Sequence, residues 1–196
     1  MMKDMNAGAI SSRLSGELLE QLDRYRTSHA DEAQSLEVMK SFVRAHPTCF
    51  DRALSVGHVT GSAWIVDAKG SSALLTHHRK LNRWLQPGGH WEGDLGAFAI
   101  AKREAEEESG LTSLSPLSSE IFDIDVHLIP RRDSEPEHFH YDVRFIFVAE
   151  PNETLTVSNE SRDLAWMSMK EIRDMGDPSL TRMVEKTGFF CEQPAS

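Results

Sequence analysis

Apolar residues recur at three- and four-residue spacing through residues 14–46, give way to alternation, and return to helical spacing near the C-terminus, so the chain reads helix, strand and helix again. Leu18, Leu19, Leu22 and Tyr25 mark one amphipathic helix, and Leu36, Met39, Phe42 and Val43 a second. The two split near residues 27–30, and Pro47 closes the second because the residue before a proline is pushed out of helical geometry. Residues 1–12 read as a loose tail. Alternation predicts strands at residues 58–67 and 72–77 across a turn at 68–70, and residues 84–86 lead into the pair Gly88-Gly89. Further strands are predicted near 120–129 and 141–149, a short one around Ala165 and Trp166, and closing helices at 169–175 and 178–187. This order predicts an α/β fold with a mixed β-sheet between helical layers, preceded by an N-terminal helical extension. The extension is taken as residues 1–54 and the main domain as 55–196.

Residues 88–111 read GGHWEGDLGAFAIAKREAEEESGL. Gly88 and Gly89 permit a tight turn with positive φ and a close backbone approach to a ligand or ion. A helix is predicted to begin near Gly96 and Ala97 and to end at Gly110, with Ala97, Phe98, Ala101 and Ala105 as its apolar stripe. Glu104, Glu107 and Glu108 stand at i, i+3 and i+4 and rise from nearly one face, while Glu106 is rotated away. Like charges at that spacing cost about 0.2–0.5 kcal/mol per pair unless a cation lies between them. Carboxylate-only donors suit a hard divalent ion, Mg²⁺ best of all and Mn²⁺ as a substitute. An acidic helix with merely solvated glutamates is the plainer alternative, and the surrounding residues weigh against it.

Together the glycine pair, the Arg103-Glu104 step, the glutamate spacing and the Gly110-Leu111 ending resemble the Nudix box. That box is the signature of hydrolases that cleave a nucleoside diphosphate linked to another group. In its pattern Gly89, Arg103, Glu104, Ala105, Glu107, Glu108, Gly110 and Leu111 match in order; one early glutamate falls on Leu95. The family's glutamate there mainly holds the arginine, and Asp94 is the expected substitute partner for Arg103 through a charge-assisted pair. HHRKLNRWLQPGGHWEGD and HYDVRF also look like stretches of bacterial Nudix proteins whose substrates are undefined. The resemblance implies an α/β/α sandwich and a Mg²⁺-dependent hydrolase acting on a pyrophosphate bond. It implies that Glu104, Glu107 and Glu108 hold metal with the carbonyl of Gly89, and that Arg103 orients them. Glu160, six residues before Trp166, fits a glutamate that acts in some members as general base or extra ligand; a surface acid is the other reading. Either Glu160 or a helix carboxylate such as Glu107 takes the proton from the attacking water. The alternative from another class is a non-catalytic Nudix-fold nucleotide-binding or sensor module, for which Leu95 is the sign.

Beyond the box, Tyr141, Val143, Phe145, Phe147 and Ala149 alternate with His140, Asp142 and Arg144. The polar set reads either as a solvated face or as a cleft wall on which His140 contacts substrate and Arg144 grips a phosphate. His138 and His140 share a strand face, but a two-histidine metal site would need further ligands that the sequence does not offer. Trp84, Trp91 and Phe139 are aromatics that could stack on a base, with Trp91 the substrate-binding choice, or simply pack.

Charge narrows the partner. A formal charge of −10 over 196 residues disfavours nucleic acid and anionic membrane, so a small nucleotide or diphosphate is the expected substrate. Two unpaired-looking cysteines, Cys49 and Cys191, point to free thiols in a reducing compartment. No apolar run approaches membrane-spanning length, and the expected location is the cytoplasm. The N-terminal helices are expected to cap the core; covering the substrate and joining a homodimer are the other roles open to them.

Overall fold

In a computed structural model the chain is described over residues 2–93, 95–131, 135–159 and 161–191, with side chains over the same segments from residue 8 to residue 188. Two helices, α1 (Met2–Arg24) and α2 (Ala30–Ala45), precede strands β1 (Gly57–Val66), β2 (Ser72–His78), β3 (Arg83–Leu85) and β4 (Gly88–His90). Helix α3 (Ala97–Ser109) follows, then β5 (Ser115–Pro116), β6 (Asp123–Ile129), β7 (His138–Val148), β8 (Ser161–Ser168), α4 (Met169–Asp174) and α5 (Pro178–Cys191). Strand order is β3-β2-β1-β7-β5, with β4 on β1, β6 on β7 and β8 on β2.

The chain divides into two compact units. The first takes the described residues of 1–62, 88–101 and 119–145, and the second those of 63–87, 102–118 and 146–196. In the first unit α1 buries Ser11, Leu14, Ser15, Leu18 and Leu22, and α2 buries Leu36, Met39, Phe42 and Val43. The helices are tied to β6 by a buried carboxylate. Glu32 accepts from the Tyr25 hydroxyl, from Thr27 and from the backbone N–H of Ile124 at 3.1 Å. The Tyr25 hydroxyl also lies 3.1 Å from the Phe122 carbonyl, and Phe42 stacks on Tyr141 with ring centroids 3.7 Å apart.

The second unit is built on β2, which pairs antiparallel with β1, β3 and β8. Trp64, fully buried, donates its indole N–H to the Thr187 hydroxyl at 2.8 Å. Helix α4 starts on a reciprocal cap: the Ser168 hydroxyl accepts from the Glu171 N–H, and the Glu171 carboxylate accepts from the Ser168 N–H.

Several elements differ from expectation for identifiable reasons. The stretch expected as a loose tail is helical from Met2, and its buried stripe continues through Ser11, a polar residue where an apolar repeat was sought. Gly88 and Gly89 form strand rather than a positive-φ turn, pairing with Ser62 and Gly61. A Cβ on Gly88 would lie 2.8 Å from Ser62 Cβ, so the requirement there is close strand pairing. Strand β7 starts at His138, and the short strand around Trp166 is eight residues long because it pairs along β2. The two-residue β5 carries no alternation from which to predict it.

Candidate functional site

Helix α3 is held on its apolar side, and its charged residues lie on the other. Ala97, Ile100, Ala101 and Ala105 are buried, with Ile100 in the place expected for Phe98, which instead meets Phe145 edge-on. Gly61 allows the start of the helix to approach β1, since a Cβ there would lie 2.5 Å from the Ala97 carbonyl oxygen. At the other end Gly110 takes φ +74° and donates its N–H to the Glu106 carbonyl at 2.8 Å. A Cβ on Gly110 would also lie 2.8 Å from the Thr156 side chain.

Arg103 sits among the carboxylates it was expected to organise. Its Nη2 is 2.5 Å from Glu104 Oε1, and its Nε is 3.9 Å from Glu107 Oε1. Positive charge between like charges is what lets these glutamates share a helix face. The side chain of Glu104 is 17% exposed and that of Glu107 64%, while Glu108 is buried. Glu107 is thus the most accessible carboxylate of the three. Glu106 pairs with Lys102 at 3.7 Å on the exposed side and stands apart, as expected. Asp94 and Glu160 lie outside the described residues, so the expected Asp94–Arg103 pair and the role of Glu160 are not described.

The first unit carries a second polar face. Period-two alternation sends His58, Thr60 and Ser62 of β1, Asp123, Asp125 and His127 of β6, and His138, His140, Asp142 and Arg144 of β7 to one side. The register aligns Asp123 with Arg144, Asp125 with Asp142 and His127 with His140, and β4 brings His90 opposite Thr60. Arg144 is 3% exposed. Its Nε meets Asp142 at 2.8 Å, Nη1 meets Asp123 at 2.9 Å and Nη2 meets Asp125 at 3.1 Å. Burial opposes its charge, but the three carboxylates outweigh that and raise its pKa further above the ordinary value. The expected phosphate grip by Arg144 is therefore corrected: its guanidinium serves three aspartates.

His140, expected as a substrate contact, lies within a histidine cluster instead. Its Nε2 is 3.3 Å from His138 Nε2 and 3.4 Å from His90 Nε2, and its ring centroid is 4.8 Å from that of His58. Ligand atoms of His58, His138 and His140 all fall within 4.8 Å of one another. The expectation that no further ligands accompany His138 and His140 is thus overturned, because strand pairing delivers His58 and His90 from distant sequence. The available signal was the repeated polar alternation, His58-x-Thr60-x-Ser62 and Asp123-x-Asp125-x-His127.

Burial first, then the charges of His138 and Arg52, push His58 down to about 4 against an opposing pull from Asp51. Burial and the charges of Arg52, His58 and His138 push His90 down to about 3, with Asp142 opposing. Burial and the neighbouring histidines push His140 down to about 2. These imidazoles are neutral at pH 7. Both ring nitrogens of His58 are buried with no hydrogen-bond partner among the described residues, at a cost of about 1–3 kcal/mol each.

The aromatic candidates divide. Trp91 is half-buried with its indole N–H buried and lacking a hydrogen-bond partner among the described residues, Trp84 stacks on His77 at 5.0 Å, and Phe139 is exposed.

A family model described as NUDIX domain matches residues 57–187, well over half of the chain. The chain belongs to the Nudix family. Membership makes it, in general terms, a pyrophosphohydrolase, and the α/β/α sandwich with a mixed sheet is the Nudix fold. A Caenorhabditis elegans Ap4A hydrolase in a binary complex is similar over 67% of this chain and 96% of its own, at 16% identity and TM-score 0.50. A Nudix hydrolase of Mycobacterium smegmatis, RenU, is similar over 71% and 90%, at 16% identity and TM-score 0.52. The Nudix domain of Shewanella oneidensis NrtR, complexed with ADP ribose, is similar over 71% and 92%, at 14% identity and TM-score 0.50. These likenesses are of fold. No curated protein matches the chain.

Proposed function

We propose that this Nudix protein hydrolyses the pyrophosphate bond of a nucleoside diphosphate linked to another moiety, in a Mg²⁺-dependent reaction for which Mn²⁺ can substitute. The observation that carries the reading is the set Glu104, Glu107 and Glu108 on one face of α3 with Arg103 between two of them. The donors are all carboxylate oxygens, which fits a hard divalent cation and would suit a softer one poorly.

When bound, Mg²⁺ supplies neutralisation of the charge on the phosphate oxygens and activation of water for in-line attack. Glu104, half-buried beside Arg103, would hold the ion with Glu107 and Glu108, and Arg103 would orient Glu104 through their 2.5 Å contact. Glu107 is also the helix carboxylate proposed to take a proton from water, a reading its 64% exposed side chain supports, with Glu160 the other candidate base. Trp91 offers an indole for stacking on a base. Gly89 remains a proposed carbonyl ligand on the family pattern alone.

The helices of residues 1–54 are read as an extension of the Nudix domain, supported by the start of the family match at residue 57. Their packing on β6 through Glu32 supports capping as their role. No helix among the described residues is long and apolar enough to cross a membrane, and Cys49 is a free, buried thiol. A small nucleotide as substrate and a cytoplasmic location complete the reading.

A screen of ADP-ribose, dinucleoside polyphosphates, nucleoside diphosphate sugars, coenzymes and nucleoside triphosphates, with and without Mg²⁺, tests it. Mg²⁺-dependent release of a nucleoside monophosphate from one class is expected. Tight binding of one class with no turnover of any would replace the hydrolase by a nucleotide-binding module.

A further inference from the structure

The histidine cluster of the first unit shares no residue with the carboxylate face of α3. His58 comes from β1, His90 from β4, and His138 and His140 from β7, so three strands deliver four imidazoles to one sheet face. A tetrahedral ion with metal–nitrogen bonds of about 2.0–2.1 Å holds its ligand nitrogens about 3.3–3.4 Å apart. His140 Nε2 stands 3.3 Å from His138 Nε2 and 3.4 Å from His90 Nε2.

Hydrogen bonding does not account for both approaches. A ring nitrogen carries either one N–H or one in-plane lone pair, so His140 Nε2 cannot donate to one neighbour and accept from the other. The tautomer of His138 is fixed independently. Its Nδ1 lies 2.9 Å from the Pro136 carbonyl oxygen, which only accepts, so in the neutral ring Nδ1 carries the proton and Nε2 presents its lone pair to the cluster. A backbone carbonyl holding the far nitrogen is the usual support of a metal-binding histidine. His58, buried with both ring nitrogens lacking a hydrogen-bond partner among the described residues, supplies the second independent sign.

We propose that His58, His138 and His140, with His90 as fourth donor, form a site for a nitrogen-seeking divalent transition ion of the Zn²⁺ class. Imidazole donors select zinc, copper, nickel or iron and discriminate against Mg²⁺, so the site differs in chemistry from the α3 carboxylates. Four protein ligands make it a closed, structural centre that fastens β1, β4 and β7. His127, its ring centroid 5.5 Å from that of His140 and its Nδ1 3.4 Å from Asp125, flanks the cluster and is not needed as a ligand.

The test uses the full chain, stripped with a chelator and then titrated with Zn²⁺ or Co²⁺ in excess Mg²⁺. The expected result is one zinc per chain retained through desalting, a Co²⁺ derivative with the visible absorption of tetrahedral nitrogen ligation, and a higher melting temperature. His140→Ala and the half-buried, strand-terminal His138→Gln are expected to lose the retained ion with circular dichroism unchanged, and Glu107→Gln to keep it. Should His140→Ala not fold, His138→Gln and the wild-type Co²⁺ spectrum decide. Retention of less than stoichiometric zinc by the wild type, a Co²⁺ spectrum without nitrogen ligation, or undiminished zinc in folded His138→Gln overturns the proposal.

Discussion

Arg144 shows how a side chain's partners decide its role. Three aspartates reach three of its nitrogens at 2.8–3.1 Å, and Thr60 and Ser62 donate to Asp142 Oδ1 beside the Oδ2 that Arg144 Nε meets. Removing one partner of a buried ion pair leaves uncompensated charge, so Arg144→Met is expected to lower stability by about 3–5 kcal/mol. Urea denaturation measures this, and a loss below about 1 kcal/mol would mean that the aspartates tolerate its absence. Cys49 is a second residue defined by its surroundings: burial pushes its thiol up to about 12, partly offset by a backbone hydrogen bond. Mass-spectrometric mapping after treatment with a thiol reagent should find Cys49 unmodified in the folded protein and modified after unfolding. Modification in the native state would place it at the surface. At this scale the glutamates of α3 were legible, because their spacing along one helix is local. His58 and His90 were not, since only the pairing of β1 with β4 and the curl of the sheet bring them to His138 and His140.

Among the elements, those set by local repetition were the readable ones. Helix α3 follows from the stripe of Ala97, Ala101 and Ala105, with Ile100 rather than Phe98 completing it, and Gly110 ends it in the left-handed conformation that the pattern implies. Gly110→Ala should cost about 1–3 kcal/mol, the price of holding a side chain at φ +74° against Thr156. Thermal melting reads the effect, and an unchanged midpoint would mean that the loop around Thr156 yields. The Gly88-Gly89 pair was misjudged because glycine serves both turns and tightly paired strands. Nothing local distinguishes them; the decision rests on Ser62 across the pair. Helix α1 extended past its expected start for a similar reason, as small serines fill positions that a search for leucine passes over.

For the whole molecule, the order of strands and helices predicts a mixed sheet between helical layers, and the resemblance of residues 88–111 to the Nudix box implies the family to which the chain belongs. The acidic chain brings a substrate phosphate to a site that is itself anionic, so a cation must mediate the encounter. The proposed place for it is the carboxylate set of α3, and the account stands on their taking part in the reaction. The most direct test is the steady-state rate of Glu107→Gln beside wild type on the best substrate from the screen, across a Mg²⁺ titration. The account predicts a Mg²⁺-dependent wild-type reaction and a fall in kcat of more than about a hundredfold in the variant, with circular dichroism unchanged. A folded Glu107→Gln that retains near full rate would contradict it and move the metal chemistry off this helix face.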